Sequence, residues 1–151
     1  QDAVPEAGTR LFRYLVRRQI DSLAAPSTLP RILAWMFTRD RVVVSRTLER
    51  EWPAARAWIA RGIPTVLLLI NVGGFADPTQ NHQVVAVGYE LDEAGQRASL
   101  LLYDPNHPGR EPRIDLDLSG SRYTDAVEHS TDEGLRGFFV QPYRPRIDRL
   151  P

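Results

Sequence analysis

Asn81-His82-Gln83-Val84-Val85-Ala86-Val87-Gly88-Tyr89-Glu90, followed by Ser99-Leu100-Leu101-Leu102-Tyr103-Asp104-Pro105-Asn106, is the stretch on which the reading of this chain turns. It reads as two neighbouring strands, the first opening on a histidine and the second closing on an aspartate. The turn formers Asp92-Glu93-Ala94-Gly95 predict a hairpin with strands over His82–Leu91 and Arg97–Tyr103. Such a hairpin brings an imidazole and a carboxylate to the same end of the strand pair. Many hydrolases hold a general base and its orienting partner in this way. Strict alternation puts Val84, Ala86 and Gly88 on the His82 face, small residues that leave room for a helix or a substrate. Pro105 stops pairing directly after Asp104. Taken alone, a single histidine is more often a satisfied hydrogen-bonding residue, and an Asp-Pro pair a turn.

Downstream of the hairpin, Arg113 to Leu118 sets Ile114, Leu116 and Leu118 against Arg113, Asp115 and Asp117, the pattern of a half-exposed strand. Ser119 to Glu133 is polar and is expected to be loop with one helical turn, leaving His129 solvated. Gly137 to Tyr143 is a late apolar strand before an Arg/Pro-rich tail from Arg144, which is expected to be solvated. Upstream, Pro64 to Ile70 is apolar on both faces and predicts a central, fully covered strand. Asn71 to Gln80, with Gly73-Gly74 and Asp77-Pro78, predicts a loop.

The first third reads as helical. Thr9 can cap a segment whose apolar residues Leu11, Phe12, Leu15, Val16, Ile20 and Leu23 recur at helical spacing. Pro26-Ser27 breaks it, Leu29 to Phe37 forms a second helix, and Arg41 to Ser45 reads as a brief β-branched link. A third helix is expected over Trp52 to Ala60, with Pro53 in its first turn and Gly62 at its C′ position. The sum is one α+β domain over residues 1–151, with N-terminal helices packed on a C-terminal antiparallel sheet.

Composition narrows the chemistry. Lys+Arg and Asp+Glu both number 19, so no global field favours nucleic acid or an anionic membrane. All the basic residues are Arg, a usage that a GC-rich genome produces. The longest apolar run, Val66 to Ile70 with its flanks, is too short to span a bilayer. The chain contains no cysteine, which excludes disulfides, thiolate metal sites and a thiol nucleophile within these 151 residues. Ser22 and Ser99 are poor substitutes, since neither follows a strained turn at a helix start. Gly73-Gly74 lacks the following helix and lysine of a phosphate cradle. Trp35, Trp52 and Trp58 read as core rather than as a stacking platform. A zinc site from His82, Asp104 and His107 is the weaker alternative, and no cofactor is expected.

The pattern from Asn81 to Tyr89, then Leu102-Tyr103-Asp104-Pro105-Asn106, resembles the second half of papain-like cysteine peptidases, and most closely their bacteriocin-processing branch. The stretch Tyr14 to Leu23 is similar to a region that follows the nucleophile-bearing helix in that family, and Gly137-Phe138-Phe139-Val140 to its last strand. The resemblance implies a papain-like fold and hydrolysis of a peptide or amide bond in a peptide or protein substrate. It implies His82 as the base that takes the thiol proton, and Asp104 as the residue that fixes its tautomer. Asn106 is the second choice of orienter. The family's cysteine and its oxyanion donor would lie before Gln1, on a segment of the same protein outside this sequence. The competing expectation is a papain-like binding module that has lost catalysis.

Overall fold

The computed structural model describes residues 28–107, 109–120, 125–131 and 133–141. The helix expected over Thr9 to Leu23 and the tail from Arg144 lie outside the described residues. Helix α1 (Thr28–Met36) buries Ile32, Trp35 and Met36 on one face. Helix α2 (Asp40–Arg46) occupies the stretch expected to be a β-branched link. The helical penalty of valine is only tenths of a kcal/mol, about 0.5 per residue. Burying Val43 and Val44 outweighs it, and Asp40 in the first turn and Arg46 in the last suit the helix dipole.

The helix does not stop at Arg46. A π-helical turn (Thr47–Glu51) and helix α3 (Trp52–Ile59) continue it, with Thr47 and Trp52 both in right-handed helical conformation. The wider turn precedes Pro53, which has no N–H to donate and whose ring would crowd the carbonyl four residues back. The rod ends where the sequence indicates. Gly62, at φ 75°, lets its own N–H reach the Ile59 carbonyl while Ile63 N–H returns to Trp58 O, the paired bonds of a Schellman motif.

Among the described residues six antiparallel strands follow: β1 (Thr65–Ile70), β2 (His82–Leu91), β3 (Arg97–Tyr103), β4 (Arg113–Asp117), β5 (Val127–His129) and β6 (Gly137–Val140). They pair in the order β5-β4-β3-β2-β1-β6. Strand β1 is covered on both faces, although it lies second from the edge rather than at the centre. Leu67 and Leu69 join Trp52, Ala55, Val84, Leu100 and Phe138 in the larger core. Leu68 and Ile70 join Ile32, Trp35, Met36 and Phe139 in a second core on the opposite face. The protein is therefore α+β, with its helices N-terminal to the sheet and packed on both of its faces.

Two local expectations are corrected. The β2–β3 register shifts between Ala86 and Gly88. The resulting bulge at Val87 sets Gly88 opposite Leu101 and turns Tyr89 into the core against Trp52. Gly88 therefore leaves the face that Val84 and Ala86 share with His82. The polar stretch after Ser119 contains strand β5, which pairs Val127 with Leu116 and His129 with Ile114. Buried Ala126 and Val127 hold it in place.

Among the described residues, the outer edge of β6 is finished by side chains rather than by another strand. Thr47 Oγ1 lies 3.2 Å from Phe138 N and 3.3 Å from Phe138 O. Glu51 accepts from Val140 N at 2.8 Å, and Arg31 donates to Val140 O at 3.1 Å and to Glu51 at 2.7 Å. Four edge groups that would otherwise template another chain are thereby satisfied. The rod approaches closely because Gly137 has no side chain. A Cβ there would lie 2.5 Å from Thr47 Oγ1 and 2.7 Å from Val43 Cγ1. Among the described residues no helix is long and apolar enough to cross a membrane.

Candidate functional site

Antiparallel topology gathers the polar residues of interest. Strands β1, β3 and β5 run toward one end of the sheet, and β2, β4 and β6 start there. The β1–β2, β3–β4 and β5–β6 connections therefore share that end, bringing together Asn71, His82, Asp104, His107, His129 and Glu133. One arginine braces this end. Arg136 bonds the carbonyls of Met36, Thr38 and Val72 and pairs with Asp40 at 2.6 Å, tying the β5–β6 and β1–β2 connections to the helices.

His82 and Asp104 meet as the hairpin predicts. His82 Nε2 lies 3.2 Å from Asp104 Oδ2, with the histidine side chain 15% exposed and the aspartate side chain 0%. Asp104 divides its oxygens between two tasks. Oδ1 accepts the Asn106 N–H at 2.8 Å in an Asx-turn, while Oδ2 faces the imidazole. One side chain thus closes the turn and contacts the imidazole. An ionised carboxylate only accepts, so a neutral ring facing it holds its proton on Nε2 and its lone pair on Nδ1.

Nδ1 lies 3.3 Å from Asn71 Nδ2, which donates to it. The orientation of this amide follows from its other contact, Nδ2 to Gln80 O at 3.4 Å, where an oxygen would face an oxygen. Asn81 braces the same loop by accepting the Asn71 N–H at 2.9 Å and the Val72 N–H at 3.3 Å. His82 is consequently fixed at both nitrogens, with its basic nitrogen on the Asn71 side. An open cleft of about 420 Å³ lies over this end, lined by Asn71, Thr79 and Gln80, then His82, Asn106 and Glu133 among others.

The other candidates fall differently. Asn106 contributes its backbone to Asp104 and lines the cleft. His107 Nε2 is 3.1 Å from Glu133 Oε1, so His82, Asp104 and His107 do not converge on a common point. Among the described residues no group of His, Asp and Glu is arranged to hold a metal ion. Trp35 and Trp52 are buried core, whereas Trp58 is exposed beneath Arg61.

His129 is half-buried rather than solvated. Its Nδ1 accepts from Thr131 Oγ1 at 2.6 Å and from Thr131 N at 3.3 Å, and its Nε2 is buried without a hydrogen-bond partner among the described residues. Burial pushes its pKa below the ordinary imidazole value, against the opposing pull of the Glu133 and Asp104 charges. Glu133 also approaches the pair, its Oε2 3.7 Å from His82 Nε2. A polar, turn-rich sequence context gives no signal for Glu133.

No family model, curated protein or solved structure matches this chain.

Proposed function

We propose that this domain carries the base and orienter of a papain-like, thiol-dependent hydrolase of peptide or amide bonds. The nucleophilic cysteine would come from outside these 151 residues. The observation that supports the reading best is the 3.2 Å contact between His82 Nε2 and the fully buried Asp104 carboxylate at the end of the hairpin. With the ring proton on Nε2 facing that acceptor, Nδ1 is the basic nitrogen, and His82 lines an open cleft.

In the proposed cycle a thiol takes the place of the Asn71 amide at Nδ1 and passes its proton to the ring. The thiolate attacks the substrate carbonyl carbon. The imidazolium, stabilised through Nε2 by Asp104, then returns the proton to the leaving amine as the C–N bond breaks. Water, deprotonated by the same Nδ1, hydrolyses the thioester and regenerates thiol and acid product. General acid–base assistance of this kind contributes typically ~10²–10⁴-fold.

One observation favours a second reading. With no cysteine in the chain and the Asn71 amide seated on Nδ1, the site also suits a papain-like module that binds peptides without cleaving them. The test is alkylation of the intact protein with iodoacetamide, followed by peptide-amide hydrolysis assays. The hydrolase reading expects one protected, reactive thiol whose modification abolishes hydrolysis. Peptide binding with no hydrolysis and no reactive thiol would establish the binding module instead.

A further inference from the structure

We infer that Glu133 is a second positioning residue for His82, sharing with Asp104 the stabilisation of the protonated ring. The inference rests on the base reading of His82 given above. The two carboxylates approach the same ring nitrogen, Asp104 Oδ2 at 3.2 Å and Glu133 Oε2 at 3.7 Å. Asp104 can offer only one oxygen, because Oδ1 is committed to the Asn106 amide.

Glu133 is held for this position rather than passing through it. Its Oε1 is fixed by His107 Nε2 at 3.1 Å, and its backbone N–H reaches Thr131 Oγ1 at 3.4 Å. Its Oε2 is buried and has no hydrogen-bond partner among the described residues. A buried carboxylate oxygen left without a donor carries a desolvation cost. That cost is recovered when a positive charge appears beside it. In this site the charge appears on His82 when Nδ1 takes a proton, so the oxygen is pre-aimed at the transient cation. His107 sets the aim by occupying the other oxygen.

The experiment compares Glu133→Gln, Asp104→Asn and the double variant of the intact protein in steady-state peptide-amide hydrolysis. The His82 Nε2 proton resonance of wild type and Glu133→Gln is recorded in parallel. Glu133→Gln keeps the shape and removes the charge. It is expected to lower kcat about tenfold at unchanged KM, to move the Nε2–H resonance, and to cost less in the Asp104→Asn background, where the ring proton sits on Nδ1, than alone. His107→Ala, which frees Oε1 without touching Glu133, is expected to reproduce part of the loss. An unchanged kcat and resonance in Glu133→Gln, or a loss confined to KM, overturns the inference. If His82→Ala abolishes hydrolysis while both Glu133→Gln and His107→Ala are silent, only this inference fails. If His82→Ala is itself silent, the base reading fails with it.

Discussion

His82 and Asp104, 22 residues apart in sequence, face each other across adjacent strands with Nε2 and Oδ2 3.2 Å apart. The hairpin imposes this geometry, because the strand that begins at His82 is paired with the strand that ends just before Asp104. The ring is further constrained from the opposite side by Asn71, so neither nitrogen is left to choose its own proton.

Asp104→Asn tests that arrangement. The Asn106 N–H keeps an oxygen on its side, which turns the new NH2 toward Nε2. The His82 proton is expected to move to Nδ1, where it meets the Asn71 amide. Long-range nitrogen–proton correlation spectra of the chain would then show protonated Nδ1 in place of protonated Nε2. Retention of the Nε2-protonated form in Asp104→Asn would contradict the assignment.

Thr47→Val tests the edge of β6. It preserves volume and removes the hydroxyl that contacts both Phe138 backbone groups. Leaving them buried and unpaired should cost about 1–3 kcal/mol, read as a lowered denaturation midpoint with an unchanged slope. A midpoint equal to wild type would show that the π-helical turn does not protect this edge.

Gly137→Ala tests how closely the rod approaches the sheet. The added methyl meets Thr47 Oγ1 and Val43 Cγ1, neither of which is at the end of a flexible side chain. Overpacking of this kind costs about 1–3 kcal/mol, and chemical denaturation should report it. A neutral substitution would mean that the contact is looser than described.

His129 predicts an acid sensitivity. Its pKa is lowered in the fold by burial, while Glu133 and Asp104 oppose the shift and His82 and His107 add to it. Between the ordinary imidazole value of about 6.5 and the lower folded value, the unfolded chain binds the proton more readily. Stability should be at its full value above that range, fall as pH drops through it, and level off below it. His129→Gln should flatten that part of the stability curve, as measured by denaturation at stepped pH. Parallel curves for wild type and variant would remove His129 as the cause.

The sequence discloses the hairpin because its signals are local. Period-two alternation, a turn cluster and a proline stop all lie within His82 to Pro105. The Trp52–Ile59 helix is legible for the same reason, with Pro53 at one end and Gly62 past the other. Helix α2 is not legible, since a Val42-Val43-Val44 run favours strand until the burial of Val43 and Val44 is known. The bulge at Val87 is hidden because Val-Ala-Val-Gly suits either register. Glu133 and His129 reach the site only through β5, a strand of three residues held by its pairing with β4. No short window of sequence carries that information.

The most direct measurement is peptide-amide turnover by the intact protein with His82 replaced by alanine, alongside circular dichroism to show that the fold is kept. The account predicts a loss of about 10²–10⁴-fold in kcat for a folded variant. Wild-type turnover by a folded His82→Ala protein would contradict it.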